Sequence, residues 1–470
     1  EENYEKSEQE LKEIEILSDS FVKKWKDRKD YLNNAEILKE ALDEYEKLFD
    51  FIGSGGGNTE YYYWLRSQIE QSNPEIKAKL KKTEEKSKEV LNNLNFFRIK
   101  ISKISKEKQK DFLNEKILFD YKSFLRQLFA AGNHILNENE EKILSLKSSV
   151  SCENWRKITS ELLSKEEREI LIHGKKFLKN FSEISSLIDD KDKKTRDSAA
   201  KFFNELLEKH SDIAEIEINS ILEDKKINDK LKSFERADSE RHLSDDVESE
   251  TVDVLVKVVS ENFDVARRYY ELKAKLLGFE KLQYHERNLS YGELNKKYSA
   301  EESVKIVKKV LHKLEERFSE IFSNFIENGR VDFFPKKGKR AGAFCVWHSP
   351  SKPVYVMLNH TDKLKDVLTI AHEFGHAINA ELSKKQNALE FDTPTSTTEV
   401  ASTFMEDFVL QELLEEADEE KKLSLMMQKL NDDVSTIFRQ VALYRFEQEL
   451  HSAFRKEGYL SKEKIGKIFQ

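Results

Sequence analysis

Two histidines one helical turn apart, His372 and His376, enclose Glu373 in the stretch TIAHEFGHAINAELS at residues 369–383. On a wheel of about 100° per residue started at Leu364, Val367, Leu368, Ala371, Gly375, Ile378 and Leu382 fall within roughly 60° of one line, a stripe that predicts a core-facing surface. His372 and His376 lie about 80° and 120° round from that line and Glu373 about 180°. The two imidazoles therefore project from one flank. That spacing suits a divalent zinc ion, whose nitrogen ligands sit at about 2.0–2.1 Å while a third protein ligand and a water complete a tetrahedron. Glu373 would then stand beside the water. The plainer alternative is a pair of half-buried histidines bonded to their neighbours.

A catalytic zinc site needs a third protein ligand. The metzincin pattern, which places a glycine and a third histidine further along the same segment, has Asn379 and Leu382 at those positions and is excluded. A glutamate on a following helix is the other supply, and TPTSTTEVASTFMEDFVLQELLEE offers Glu399 in its first turn. Glu399 also reads as the far end of a capping box begun by Ser396. Glu406, seven residues on and on the same face, would orient a histidine through its other nitrogen or form a surface ion pair. His285, His348 and His360 stand alone and receive no role, and Cys345 reads as a small buried residue.

These groups must be positioned by the elements around them. From residue 331 the texture changes: RVDFFPKKGKRAGAFCVWHSPSKPVYVMLNHT holds three of the five prolines, and AFCVW and VYVML predict a short β-hairpin. Within it Tyr355, Val356 and Met357 are candidates for pairing with an extended peptide by main-chain hydrogen bonds; an ordinary core hairpin is the alternative. Asn359 or Thr361 is the expected cap of the histidine helix, with Asp362 in its first turn. Residues 1–330 contain only Pro74 and mostly helical spacing, which predicts a run of antiparallel helices. The glycines of FIGSGGGNTEYYYWLRSQ mark a turn or hinge, with Asn58 or Thr59 as the next cap. A phosphate loop would need Lys and Ser or Thr after the last glycine, and neither follows. Ser and Asp gather again in FSEISSLIDDKDKK, so the expected domains are 1–185, helical, and 186–470, carrying the histidines.

Composition sets outer limits. With 470 residues, 36% charged, 38% hydrophobic, fourteen glycines and five prolines, the chain is expected to be mainly α and to have more than one small domain. A net charge of -9 argues against nucleic acid as a partner. No apolar run reaches membrane-spanning length and the acidic start does not resemble a signal peptide, so no membrane partner is expected. Two cysteines without a CxxC fit a reducing, cytoplasmic setting. Oligomeric state is open. The chain starts without methionine and stops inside the helical pattern SKEKIGKIFQ, so both ends read as cuts.

Taken together, GKRAGAFC, PVYVMLNHT, DVLTIAHEFGHAI, TEVASTFMED, YRFEQELH and YHERN resemble the oligoendopeptidase F family, relatives of thimet oligopeptidase among zinc metallopeptidases. The likeness extends over nearly the whole chain. It implies an elongated, mainly α metallopeptidase with a central channel and a small β-hairpin beside the zinc-binding helix. It further implies one zinc ion held by His372, His376 and Glu399, Glu373 as general base, and hydrolysis of short peptides. Asn379 replaces a further histidine usual in the family, which is not a ligand. The family also draws a histidine and tyrosines from beyond YRFEQELH to stabilise the tetrahedral intermediate, and the chain ends before such a segment, so the metal is expected to bind even where turnover fails. Two rivals remain: a zinc carboxypeptidase on a helical frame, and a helical peptide-binding module that does not cleave.

Overall fold

The computed structural model describes residues 2–53, 55–148, 150–292 and 296–470. Helices dominate, as expected. The chain forms two compact units, each assembled from two stretches: residues 1–145 with 295–416, and residues 146–294 with 417–470. The expected boundary near 186 therefore falls inside the second unit. Around that position helix Lys193–Lys209 lies against both helix Phe181–Ser186 and the strand that begins at Glu167.

Among the described residues two sheets interrupt the helices. In the second unit, β1 (Glu167–Ile172) and β2 (Lys175–Asn180) form an antiparallel hairpin closed by His173 and Gly174, both at positive φ (47° and 82°). This hairpin lies where helices alone were expected. A two-residue turn with both residues left-handed matches the right-handed twist of the strands, and the HG pair was the signal for it. In the first unit, β3 (Val331–Asp332), β4 (Phe344–Val346) and β5 (Tyr355–Met357) form a sheet in the order β3-β5-β4. β4 and β5 are the expected hairpin; β3 joins β5 in parallel.

The first unit opens with α1 (Glu2–Trp25), α2 (Ala35–Ile52), α3 (Gly57–Ile69) and α4 (Pro74–Ser102). Their shared core is aromatic: Phe21, Trp25, Tyr31, Tyr45, Phe96 and Phe97 are buried together, with Trp25 edge-on to Tyr31 at 5.8 Å. The glycine stretch between α2 and α3 serves this packing. Gly53 has φ 53°, and a Cβ there would fall 2.1 Å from Nε2 of His348, on the β4–β5 loop. His348 stacks on Tyr61 (5.0 Å, 8° between planes), whose hydroxyl donates to the carbonyls of Val346 and Pro353. Gly53 thus lets the loop dock, and the stretch serves as a turn and not as a phosphate cradle. Ser54, within that stretch, lies outside the described residues. The cap on α3 is neither Asn58 nor Thr59 but Glu10 of α1, whose carboxylate accepts from both backbone N–H groups at 3.0 and 2.8 Å. A carboxylate there also suits the positive end of the helix.

Burial, with Lys352 nearby, pushes the imidazole of His348 down from 6.5 to about 4, and its Nε2 has no hydrogen-bond partner among the described residues. A histidine held neutral in the fold takes up its proton preferentially when unfolded, so its contribution is complete above about pH 6.5 and is lost as pH falls toward 4. Unfolding free energies from urea titrations at pH 7 and 4.5 are expected to diverge more for the native chain than for His348→Phe, by on the order of 3 kcal/mol at most. Equal divergence would show that the ring protonates freely in the fold.

Candidate metal centre

The histidines ride on α7 (Leu364–Ser383), which follows α5 (Ala300–Leu314), α6 (Glu316–Glu327) and the sheet. Its start differs from expectation. Lys363 is the N-cap, and Asp366 in the first turn accepts from the N–H groups of Lys363 and Thr361 at 2.9 and 2.7 Å. Asp362 lies outside the helix at φ 63°, and the Asn359 side chain donates instead to the carbonyls of Arg340 and Gly342. The expected stripe is buried at Val367, Leu368, Ala371, Gly375 and Ile378 and half-buried at Leu382, but most of the opposite face is buried too, because β4 and β5 cover it. Phe374 sits between Phe322 and Phe325 of α6, with ring centroids 4.3 and 5.5 Å away. Glu373, about 180° from the stripe, is consequently only 7% exposed.

The second contributor is α8 (Thr395–Glu415), which packs on α7 more extensively than any other pair of elements among the described residues. Gly375 sets the approach: a Cβ there would lie 2.5 Å from both the Ala401 carbonyl oxygen and the Ser402 Cα. The contact lies between the two histidines in sequence, so one turn of α8 is brought against the HEFGH turn. Glu399 Oε2 then stands 3.5 Å from His372 Nε2 and 3.6 Å from His376 Nε2. The two rings are nearly perpendicular, with centroids 5.0 Å apart. Two ligand atoms bound tetrahedrally at about 2.0–2.1 Å would be about 3.3–3.4 Å apart, so the spacing and the N, N, O chemistry fit one divalent ion. The capping alternative for Glu399 is not what is seen: Pro394 is the N-cap without a side-chain bond, and the carboxylate accepts from Ser402 Oγ at 2.8 Å.

The remaining groups set the electrostatics. His372 Nδ1 is 3.2 Å from Glu406 Oε2, and this bond raises the imidazole pKa against the opposing effect of burial. For His376 burial wins and the pKa falls; its Nδ1 is buried without a properly formed hydrogen bond, the Thr398 backbone acting only weakly on it. Burial pushes the Glu373 carboxyl up to about 7, opposed by the nearby His372 and by the backbone N–H of Cys345 on β4. A carboxylate in that range is poised to take and return a proton near neutral pH.

The expectation that Tyr355, Val356 and Met357 offer a free strand edge is corrected by the sheet order. β5 is central and paired on both sides, so its main chain has no edge to give. The edge next to α7 is β4, where Cys345 faces Glu373. Sequence reasoning also missed Ser402; its spacing of three from Glu399 was the available signal. The histidines given no role are structural: His360 is buried with Nε2 3.1 Å from Ser303 Oγ, and His285 pairs with Asp197 at 2.9 Å.

Comparison with known proteins follows the same lines. The model of Peptidase family M3 matches residues 186–470, and that of Oligopeptidase F matches residues 100–165. An oligoendopeptidase F homolog of Borreliella burgdorferi is 27% identical over 93% of this chain and 73% of its own length. One of Lactococcus lactis subsp. lactis is 25% identical over 80% of this chain, which spans 63% of that relative. The crystal structure of a peptidase from Chlamydophila abortus superposes with a TM-score of 0.77 at 22% identity, covering 93% of this chain and 73% of that one. Fold and site together define a mainly α metalloendopeptidase. The chain belongs to peptidase family M3, in its oligoendopeptidase F branch.

If Gly375 sets the ligand geometry, Gly375→Ala should force α7 and α8 apart although alanine is the better helix former by about 1 kcal/mol. Metal affinity, measured by competition with a chromophoric chelator, is expected to fall about tenfold to a hundredfold, while helical circular dichroism is retained. Unchanged affinity would show that the close approach is incidental.

Proposed function

We propose that the chain hydrolyses short peptides internally, using one zinc ion held by His372, His376 and Glu399 and Glu373 as general base. The observation that carries this is the convergence of the two Nε2 atoms on Glu399 Oε2, with a buried carboxylate of raised pKa one residue along. Zinc is favoured over calcium or magnesium because two of the three donors are imidazole nitrogens. When bound, the ion supplies Lewis acidity to a water and to the peptide carbonyl. Glu373 accepts the water's proton on its carboxylate as the oxygen attacks, then delivers it to the departing amine nitrogen, whose bond to carbon breaks. Glu406 holds His372 so that Nε2, not Nδ1, faces the ligand cluster.

Substrate is read from the sheet. The outer edge of β4 lies beside Glu373, and pairing there would hold an extended peptide by its main chain, tolerant of side-chain identity. Short peptides are accordingly the favoured partners. Among the described residues no helix is long and apolar enough to cross a membrane, and both cysteines are unpaired, which supports a cytoplasmic setting.

With an internally quenched peptide blocked at its C-terminus, the chain is expected to cleave within the peptide and lose activity to a chelator. Glu373→Gln should lower kcat by about 10²–10⁴ while bound metal, measured by elemental analysis, stays at one per chain. Cleavage confined to an unblocked C-terminus would indicate a carboxypeptidase, retention of intact peptide a binding module, and full activity in Glu373→Gln a different base.

A further inference from the structure

We propose that Ser402 is the positioning residue for the third metal ligand: its hydroxyl holds Glu399 in the one orientation that faces both imidazoles. The inference rests on the zinc reading above.

Glu399 needs such help. It sits in the first two turns of α8 with its side chain 53% exposed, and a glutamate in water samples many rotamers. Among the described residues no lysine or arginine pairs with it. What it has is Ser402, three residues along the same helix face, completely buried, with Oγ 2.8 Å from Oε2 and 3.0 Å from the Glu399 carbonyl.

A serine hydroxyl has one proton to donate. Within a helix the ordinary acceptor is a carbonyl three or four residues back, a bond that does nothing for a neighbouring side chain. Here the carboxylate is the nearer acceptor and the charged one, and charge-assisted bonds are shorter and stronger than neutral ones. The oxygen that takes the proton is Oε2, the same atom that stands 3.5 and 3.6 Å from the two Nε2 atoms. One bond to Ser402 therefore fixes the side-chain torsions and leaves a lone pair of that oxygen directed at the site.

Ser402 itself cannot drift. Its Cα is at the Gly375 crossing, where even a methyl group on the facing helix would come within 2.5 Å. The crossing of the two helices thus fixes the serine, and the serine fixes the ligand. Thr403 supplies a control built into the same turn: its Oγ1 donates to the Glu399 carbonyl at 2.7 Å and gives nothing to the carboxylate.

The test compares the native chain with Ser402→Ala, Thr403→Ala, Glu399→Ala and the double variant Ser402→Ala/Glu399→Ala. The readouts are zinc affinity by chelator competition and the visible spectrum of the cobalt-loaded proteins. Ser402→Ala is expected to weaken zinc binding about tenfold to a hundredfold and to shift the cobalt bands. Thr403→Ala should stay within about twofold, and the double variant should bind no more weakly than Glu399→Ala alone, because the serine acts only through that carboxylate. If the native chain binds one zinc and Ser402→Ala binds it equally well, or if the two losses add in the double variant, the proposal is overturned while the zinc reading stands. If the native chain binds no zinc, the zinc reading itself has failed.

Discussion

The approach of two helices to within backbone contact at Gly375 is the constraint from which the site follows. Any side chain at that position would have to occupy space already filled by the Ala401 carbonyl and the Ser402 backbone. Glycine in the middle of a helix costs stability, about 1 kcal/mol relative to alanine, so its presence between the two histidines is a local sacrifice made for geometry. Because the crossing falls inside the HEFGH turn, a carboxylate on the second helix needs only to be within one turn of the contact to meet the imidazoles, and Glu399 is there. Packing elsewhere on α7 serves the same end: Phe374 wedged between Phe322 and Phe325 and the sheet on the far side leave the helix little freedom to rotate its imidazoles away.

Burial then sorts the ionisable groups by their partners. His372 and His376 share a helix face yet move in opposite directions, one raised by its bond to Glu406, the other lowered because burial is opposed only by Glu399 and a weak backbone acceptor. Glu373 has little water and is opposed only by His372 and one backbone N–H, so burial dominates and its carboxyl is pushed to about 7. Three carboxylates and two imidazoles gathered at one place form a site rich in electron pairs. A divalent cation is the partner such a group of donors accommodates.

Much of this was legible in the sequence because the strong signals are short-range. Helical character, the hairpin from 344 to 357, the turn at Gly53–Gly57 and the spacing of His372, Glu373 and His376 depend on residues within a few positions of one another. What could not be read depends on partners distant in sequence. Glu10 caps a helix that starts at Gly57, and β3 inserts beside β5 and makes it central, which removes the edge that Tyr355–Met357 were expected to offer. The unit boundaries were illegible for the same reason, since each unit is made from two stretches separated by more than a hundred residues. Between these extremes lies the β1–β2 hairpin, marked locally by His173-Gly174 but hidden among charged residues that read equally well as helix.

A second cluster in the chain shows what separates a metal centre from an ion-pair network. Asp197, His285 and Glu286 also bring an imidazole and two carboxylates within ligand reach of one another. There the negative charge is already answered: Arg196, itself buried, reaches Glu286 at 2.8 Å, and Lys193 reaches Asp197 at 2.8 Å. A cation entering that cluster would have to displace or repel two others. At His372, His376 and Glu399, with Glu373 and Glu406 beside them, no lysine or arginine forms an ion pair with any of the carboxylates among the described residues. The donor types are alike in both places; the presence or absence of protein cations decides which cluster is closed and which still calls for an ion.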